Sequence, residues 1–285
     1  MNTRIRPRPT AAVPFPVPVR GVVRYIDTIK VWLPRRLSEA ETYALIEACA
    51  PGTMPHNATW SFRGWTLRQR WILQQPSPDA LELLQGLFGD RVHLNRVHLA
   101  LDFLVHSVDD AWRLNWWFDE VQVRPFRGMP HFVRPRGFNT TYYAPLEAPW
   151  NIVRYPDKPS KLTGDPCLHV EARLQGARAP QAEGVGSLSA LLALDHEAFW
   201  HQWLLLLQAD LVQLGFVLIG MKRRGRPPKA ETLLRQYAAR IGAHHVWEHD
   251  LWGTPSAQVC LDRGRLRGIA VRRAYRRLPL KLRER

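Results

Sequence analysis

The chain has 285 residues, 46% of them hydrophobic, with twelve tryptophans and a formal net charge of +15. That apolar content is enough for a packed core and excludes a disordered tail. The three cysteines, Cys49, Cys167 and Cys260, have no paired spacing, which excludes a disulfide scaffold or structural zinc site and suits a reducing, cytoplasmic setting.

Residues 1–20 are basic and interrupted by Pro14, Pro16 and Pro18. They read as an extended arm, because a signal peptide needs an unbroken apolar run. Residues 22–33 read as a first strand. Residues 37–52 read as a helix with a capping box of Ser38 and Glu41 and with Gly52 past its end. Residues 58–75 alternate on both sides of Arg63-Gly64, the pattern of a hairpin. A second helix follows, with Ser77 as cap and Pro78 at its first position.

The strand over 91–105 is the most informative element. Period two puts Val97, Leu99, Leu101, Phe103 and Val105 on one face and Arg96, His98, Ala100 and Asp102 on the other. A helix near 109–121 precedes short strands at 131–133, 138–144, 151–155 and 167–175. In the last, Leu168, Val170, Ala172 and Leu174 alternate with Cys167, His169, Glu171 and Arg173. The apolar stretch 199–221 carries His201, Gln202, Gln208, Asp210 and Gln213, which makes it a poor bilayer span. It fits a buried helix followed by a strand, the helix running over about 195–214 with Asp195 as cap and Gly215 as stop. The expected class is α+β: a mostly antiparallel sheet with helices on one face and a small, basic, mainly helical C-terminal module. The expected division is an arm at 1–20, an α+β body at 21–220 and the basic module at 221–285.

Charge is distributed unevenly. Residues 222–285 hold 17 Lys+Arg against 5 Asp+Glu, a net of +12, leaving +3 for the remainder. Such a basic tail points to a polyanion, with nucleic acid ahead of a membrane surface. Lys222, Arg223, Arg224, Gly225, Arg226 and Lys229 surround an Arg-Gly-Arg-Pro core that resembles an AT-hook, which is equally the composition of a basic proline linker. Ala238-xxx-Gly242 weakly matches a helix-turn-helix, with His244 and His245 opening its second helix. Arg272, Arg273, Arg276 and Arg277 suit phosphate contacts.

On the polar strand faces each carboxylate lies near a histidine, His98 with Asp102 and His169 with Glu171. Asp102 and Glu171 could share one hard divalent cation, Mg²⁺ or Mn²⁺, with the histidines as supplementary ligands. Two charged residues on a solvated sheet face are the plain alternative. Asp27 is a third candidate ligand, although its face also carries Val23, Ile29 and Val31. On strand 151–155, Tyr155 shares a face with Val153 and Asn151 while Arg154 points the other way. Lys158 and Lys161 lie in the loop beyond Pro156. Strand tyrosines commonly pack a core, and a tyrosine hydroxyl becomes a nucleophile only with cations beside it.

Three stretches together resemble the rolling-circle replication initiation factors of plasmids and filamentous phages: "RVHLALDFLV", "NTTYYA" followed by "RYPDK", and "LHVEARLQG". The resemblance spans roughly residues 22–176. It implies a metal-dependent DNA nickase and religase in which a tyrosine becomes linked to a 5′ phosphate. It further implies Tyr155 as nucleophile within the cluster Arg154, Tyr155 and Lys158, and Asp102 and Glu171 as the acidic positions. Pro156 interrupts the cluster and "YYAPLEAPW" departs from the family's usual Gly-Arg-Ser continuation, which makes Tyr142 and Tyr143 alternative nucleophiles. No His-hydrophobic-His pair occurs. The implied partners are DNA, as origin duplex and nicked single strand, with a homodimer as candidate assembly and no membrane. The rival expectations are a non-catalytic DNA-binding or regulatory protein and, behind it, a single-stranded nucleic-acid binder that stacks bases on exposed aromatics.

Overall fold

The computed structural model describes residues 15–56, 58–62, 65–123, 141–142, 148–209 and 275–278. Chain order runs β1 (Gly21–Leu33), α1 (Glu39–Glu47), β2 (Met54–His56), β3 (Trp60–Phe62), β4 (Trp65–Leu67), β5 (Gln69–Gln74) and α2 (Pro78–Phe88). It continues with β6 (His93–Leu104), α3 (Val108–Val121), β7 (Gln122–Val123), β8 (Thr141–Tyr142), β9 (Trp150–Tyr155) and β10 (Cys167–Gln175). The remaining elements are α4 (Arg178–Ala182), α5 (Leu188–Leu192), α6 (His196–Trp203), β11 (Leu205–Ala209) and β12 (Tyr275–Leu278).

Seven strands form one sheet in the order β2-β5-β1-β6-β10-β9-β8, with every pair antiparallel. The two strands with the clearest alternation, β6 and β10, are central neighbours. Their apolar sets, Val97, Leu99, Leu101 and Phe103 with Leu168, Val170, Ala172 and Leu174, are fully buried in one core. Each buried Val, Leu or Phe among them contributes roughly 1.5–3 kcal/mol. Buried residues of all six α-helices among the described residues belong to that same core, among them Leu45, Leu84, Phe118, Ala179, Leu191 and Trp200. The helices therefore cover one face, and the α+β expectation holds.

Local signals hold where they are chemical. Ser38 and Glu41 form the capping box of α1. Ser77 accepts from the Ala80 amide with Pro78 at the start of α2. Asp195 accepts from the Ala198 amide at 2.9 Å. The long helix expected over 195–214 is shorter: α6 stops at Trp203 and the leucine run becomes strand β11. β11 pairs with β7 and β12, so backbone partners distant in sequence outweigh the helical reading of that run. The expected hairpin is confined to β3 and β4, a separate two-stranded sheet, while β5 joins the large one. Arg63-Gly64 and the strand expected at 131–133 lie outside the described residues, as does most of 138–144. The N-terminal arm up to residue 14 and the C-terminal module, apart from β12, lie outside them too. Among the described residues no helix is long and apolar enough to cross a membrane.

Candidate metal and tyrosine site

The polar face of the sheet is assembled by register. β10 lies against β6 with His169 opposite Asp102 and Arg173 opposite His98, and β9 lies against β10 with Tyr155 opposite His169. Directly opposed residues share a face, so Tyr155, His169, Glu171, Arg173, His98 and Asp102 all face away from the helices.

Asp27 reaches the same face through a β-bulge. β1 pairs Ile26 with Leu99 and then Thr28 with His98, leaving Asp27 as the extra residue. Strict alternation would put Asp27 beside Ile29 and Val31, which are fully buried in the core. The bulge re-aims the carboxylate to the polar side. Asp27, His98 and Glu171 there form a buried trio, each offering one ligand atom, all within 4.8 Å of one another.

His98 Nδ1 lies 2.6 Å from Glu171 Oε1. Its Nε2 is buried without a hydrogen-bond partner, an unsaturated donor set of the kind a bound cation completes. Two carboxylates and one imidazole suit a hard divalent ion, and the nitrogen favours Mn²⁺ over Mg²⁺. Lys161 places its ammonium 2.5 Å from Asp27 Oδ1, so a protein cation balances that carboxylate. Burial pushes the Glu171 carboxyl up, but the hydrogen bond and charge of His98 and the Arg173 guanidinium outweigh it. The group is held below the ordinary carboxylate range.

Tyr155 sits at the trio's edge. Its hydroxyl lies 3.4 Å from Glu171 Oε2 as donor and accepts from Arg173 Nη2, which also donates to Glu171 at 2.7 Å. Lys158 Nζ stands 5.1 Å from the centre of the Tyr155 ring. Lys158, Ser160 and Lys161 come from a loop that folds back on itself. Ser160 donates its amide to Asp165 O, and Gly164, at φ +74°, returns its amide to Ser160 O at 2.8 Å. Together these side chains line a cavity of about 460 Å³ with Asp27, Thr28, His98, His169 and Glu171.

Asp102 is not part of the trio. Its Oδ1 lies 2.6 Å from His169 Nδ1, and its Oδ2 accepts from Ser160 at 2.6 Å and Tyr25 at 3.3 Å. Opposite His169 in the ladder, Asp102 orients that ring, which lies 5.4 Å from the Tyr155 ring, and it leaves Asp27 as the second carboxylate of the cluster. Burial, then the charges of Asp102 and Asp27, drive the Tyr25 phenol far above its usual range, so it stays a neutral donor.

Arg154 is fully buried on the opposite side, its guanidinium 5.5 Å from the Phe118 ring, and does not line the cavity. Tyr142 lies opposite Val153 on edge strand β8, and Tyr143 lies outside the described residues. Arg276 and Arg277 are opposite Gln208 and Leu207 in β12. Lys222, Arg223, Arg224, Gly225, Arg226, Lys229, Arg272 and Arg273 lie outside the described residues, as do Gly242, His244 and His245. Sequence reasoning gave no role to Arg173, Ser160, Thr28 or Tyr25. Arg173 was recoverable, since it alternates with Glu171 on one face; Ser160 carries no pattern at all.

No protein-family model matches this sequence, and no curated protein matches it. One solved structure does. It is the rolling circle replication initiator protein from Geobacillus stearothermophilus, 12% identical, with 67% of this chain and 88% of that chain covered at a TM-score of 0.40.

Proposed function

We propose that this chain is a sequence-specific DNA nickase and religase that initiates rolling-circle replication, with Tyr155 as nucleophile and a divalent metal held by Asp27, His98 and Glu171. The observation that carries this reading is the placement of the Tyr155 hydroxyl between a carboxylate acceptor and a guanidinium donor, in the cavity that holds the trio.

The Tyr155 oxygen attacks the phosphorus of a phosphodiester as its proton leaves to solvent, with Glu171 and Arg173 holding that oxygen in place. The P–O3′ bond breaks, the 3′ oxygen takes up a proton, and the phosphate remains on tyrosine through its 5′ side. Religation runs the same step backwards. Arg173 stabilises negative charge on the tyrosine oxygen, and Lys158 and Lys161 attract the phosphate. A divalent ion on the trio would neutralise the non-bridging oxygens. His169, held by Asp102, borders the tyrosine ring and fixes its position. The basic C-terminal residues, Lys222 to Arg277, hold origin duplex by its phosphates.

The test is incubation of the chain with single-stranded and supercoiled DNA plus Mn²⁺, followed by a denaturing gel. A slowly migrating covalent species is expected, lost in Tyr155→Phe and retained in Tyr142→Phe and Tyr143→Phe. DNA binding with no adduct on any substrate would instead establish the regulatory reading.

A further inference from the structure

The polar face extends beyond the trio. One cross-strand row joins Gln74, Thr28, His98 and Arg173 over β5, β1, β6 and β10. The next row joins Ile72, Lys30, Arg96 and Gln175. The row after that joins Arg70, Trp32 and His93, a second bulge on β6 bringing His93 rather than Leu94 to this face. Trp32 lies four residues from Thr28 on β1, or about 14 Å at the rise of an antiparallel strand.

Cations crowd these rows. Burial lowers the Lys30 ammonium, and the charges of Arg70 and Arg96 lower it further. Arg96 stands directly opposite Lys30 in the same row. Like charges gathered on a partly buried face cost stability unless an anion joins them. Arg70 Nε is buried without a hydrogen-bond partner. At the far end Trp32 and Trp60 stand 5.4 Å apart, His93 lies 5.2 Å from Trp60, and the Arg70 guanidinium lies 5.9 Å from Trp32. Trp32 and His93 lie on the sheet face away from the helix-packed core, and Trp60 reaches them from β3 of the separate two-stranded sheet.

We propose that this face is a single-stranded DNA track, with phosphates running over Arg173, Arg96, Lys30 and Arg70 and an unpaired base stacking on the Trp32–Trp60 platform. Aromatic platforms recognise base faces, and in a duplex those faces are hidden in the stack. Only a single strand can use both the cations and the rings. The proposal rests on the nickase reading solely for placing the scissile phosphate at Tyr155, about two cross-strand rows away.

Binding is therefore measured apart from cleavage, on the full chain in EDTA, by anisotropy of labelled single-stranded and duplex oligonucleotides of one sequence. Trp32→Ala and Trp60→Ala should each weaken single-strand binding about tenfold and leave duplex binding within about twofold. Lys30→Gln and Arg70→Gln should each lower the salt dependence of single-strand binding by about one contact. Trp32→Phe, which keeps a stacking ring, should restore most of the affinity and guards against loss of fold as the cause. Equal weakening on both DNA forms, or unchanged single-strand affinity in the alanine variants, overturns the track. A chain that forms no covalent adduct yet shows the tryptophan-dependent preference fails as a nickase and keeps the track.

Discussion

Tyr155 shares Glu171 with Arg173, and that sharing predicts separable effects. Arg173→Gln removes the donor to the tyrosine oxygen and should lower adduct formation on the order of 10², with DNA binding kept within a few-fold; single-turnover cleavage checks this. Glu171 sets a pH signature. Its folded value is depressed, so its stabilising contribution is complete above the unfolded value of 4.5 and is lost as pH falls below it. Thermal unfolding between pH 5 and pH 3 should therefore show a shallower loss of stability in Glu171→Gln than in the parent chain (window set by that depressed carboxyl). Asp102 belongs to a different network, holding His169, Ser160 and Tyr25. Asp102→Asn breaks a buried charge-assisted set and should cost about 2–4 kcal/mol in urea melts.

At the scale of elements, the bulge in β1 decides which carboxylate joins the trio. Alternation on β6 and β10 was legible because it is local: the faces of His98, Asp102, His169 and Glu171 follow from period two alone. The face of Asp27 was not, since a bulge is set by pairing with β6, whose register depends on residues far along the chain. Hence Asp102 reads as a metal ligand in sequence while the fold gives it to His169. The run after Trp203 misleads for the same reason, as leucines serve helix and strand alike until β12 supplies a partner. Arg154 illustrates the reverse. Alternation put it on the face away from Tyr155, and the fold agrees, with its guanidinium against the Phe118 ring rather than lining the cavity. The bulge is testable by deletion. Removing Asp27 restores regular pairing, with Ile26 and Ile29 still inward, whereas removing Ile29 restores it only by putting Thr28 in the place of a fully buried core side chain. Circular dichroism melts should show cooperative unfolding for the Asp27 deletion and loss of it for the Ile29 deletion.

For the whole molecule, the sheet separates two jobs, with helices filling one side and charge concentrated on the other. The trio is tied to folding because its members come from β1, β6 and β10, the centre of the sheet. A metal that binds only this folded arrangement must raise stability by mass action, about 2.7 kcal/mol at a hundredfold excess over its dissociation constant. For a chain of this size that corresponds to a midpoint rise of roughly 5–10 °C. Mn²⁺ should produce this rise in the parent chain, EDTA should reverse it, and Asp27→Asn or His98→Ala should abolish it. Asp102→Asn should start from a lower midpoint and keep the rise, because Asp102 is occupied by His169 and Ser160. Lys161 sharpens the distinction further. Its ammonium already neutralises Asp27, so an incoming cation must displace it. Lys161→Gln should therefore bind Mn²⁺ more tightly while losing phosphate attraction, seen as a larger midpoint rise at fixed Mn²⁺ with slower DNA cleavage. A rise lost in Asp102→Asn and kept in Asp27→Asn would return the metal to the pair that alternation alone suggests, and the bulge would then have no catalytic purpose.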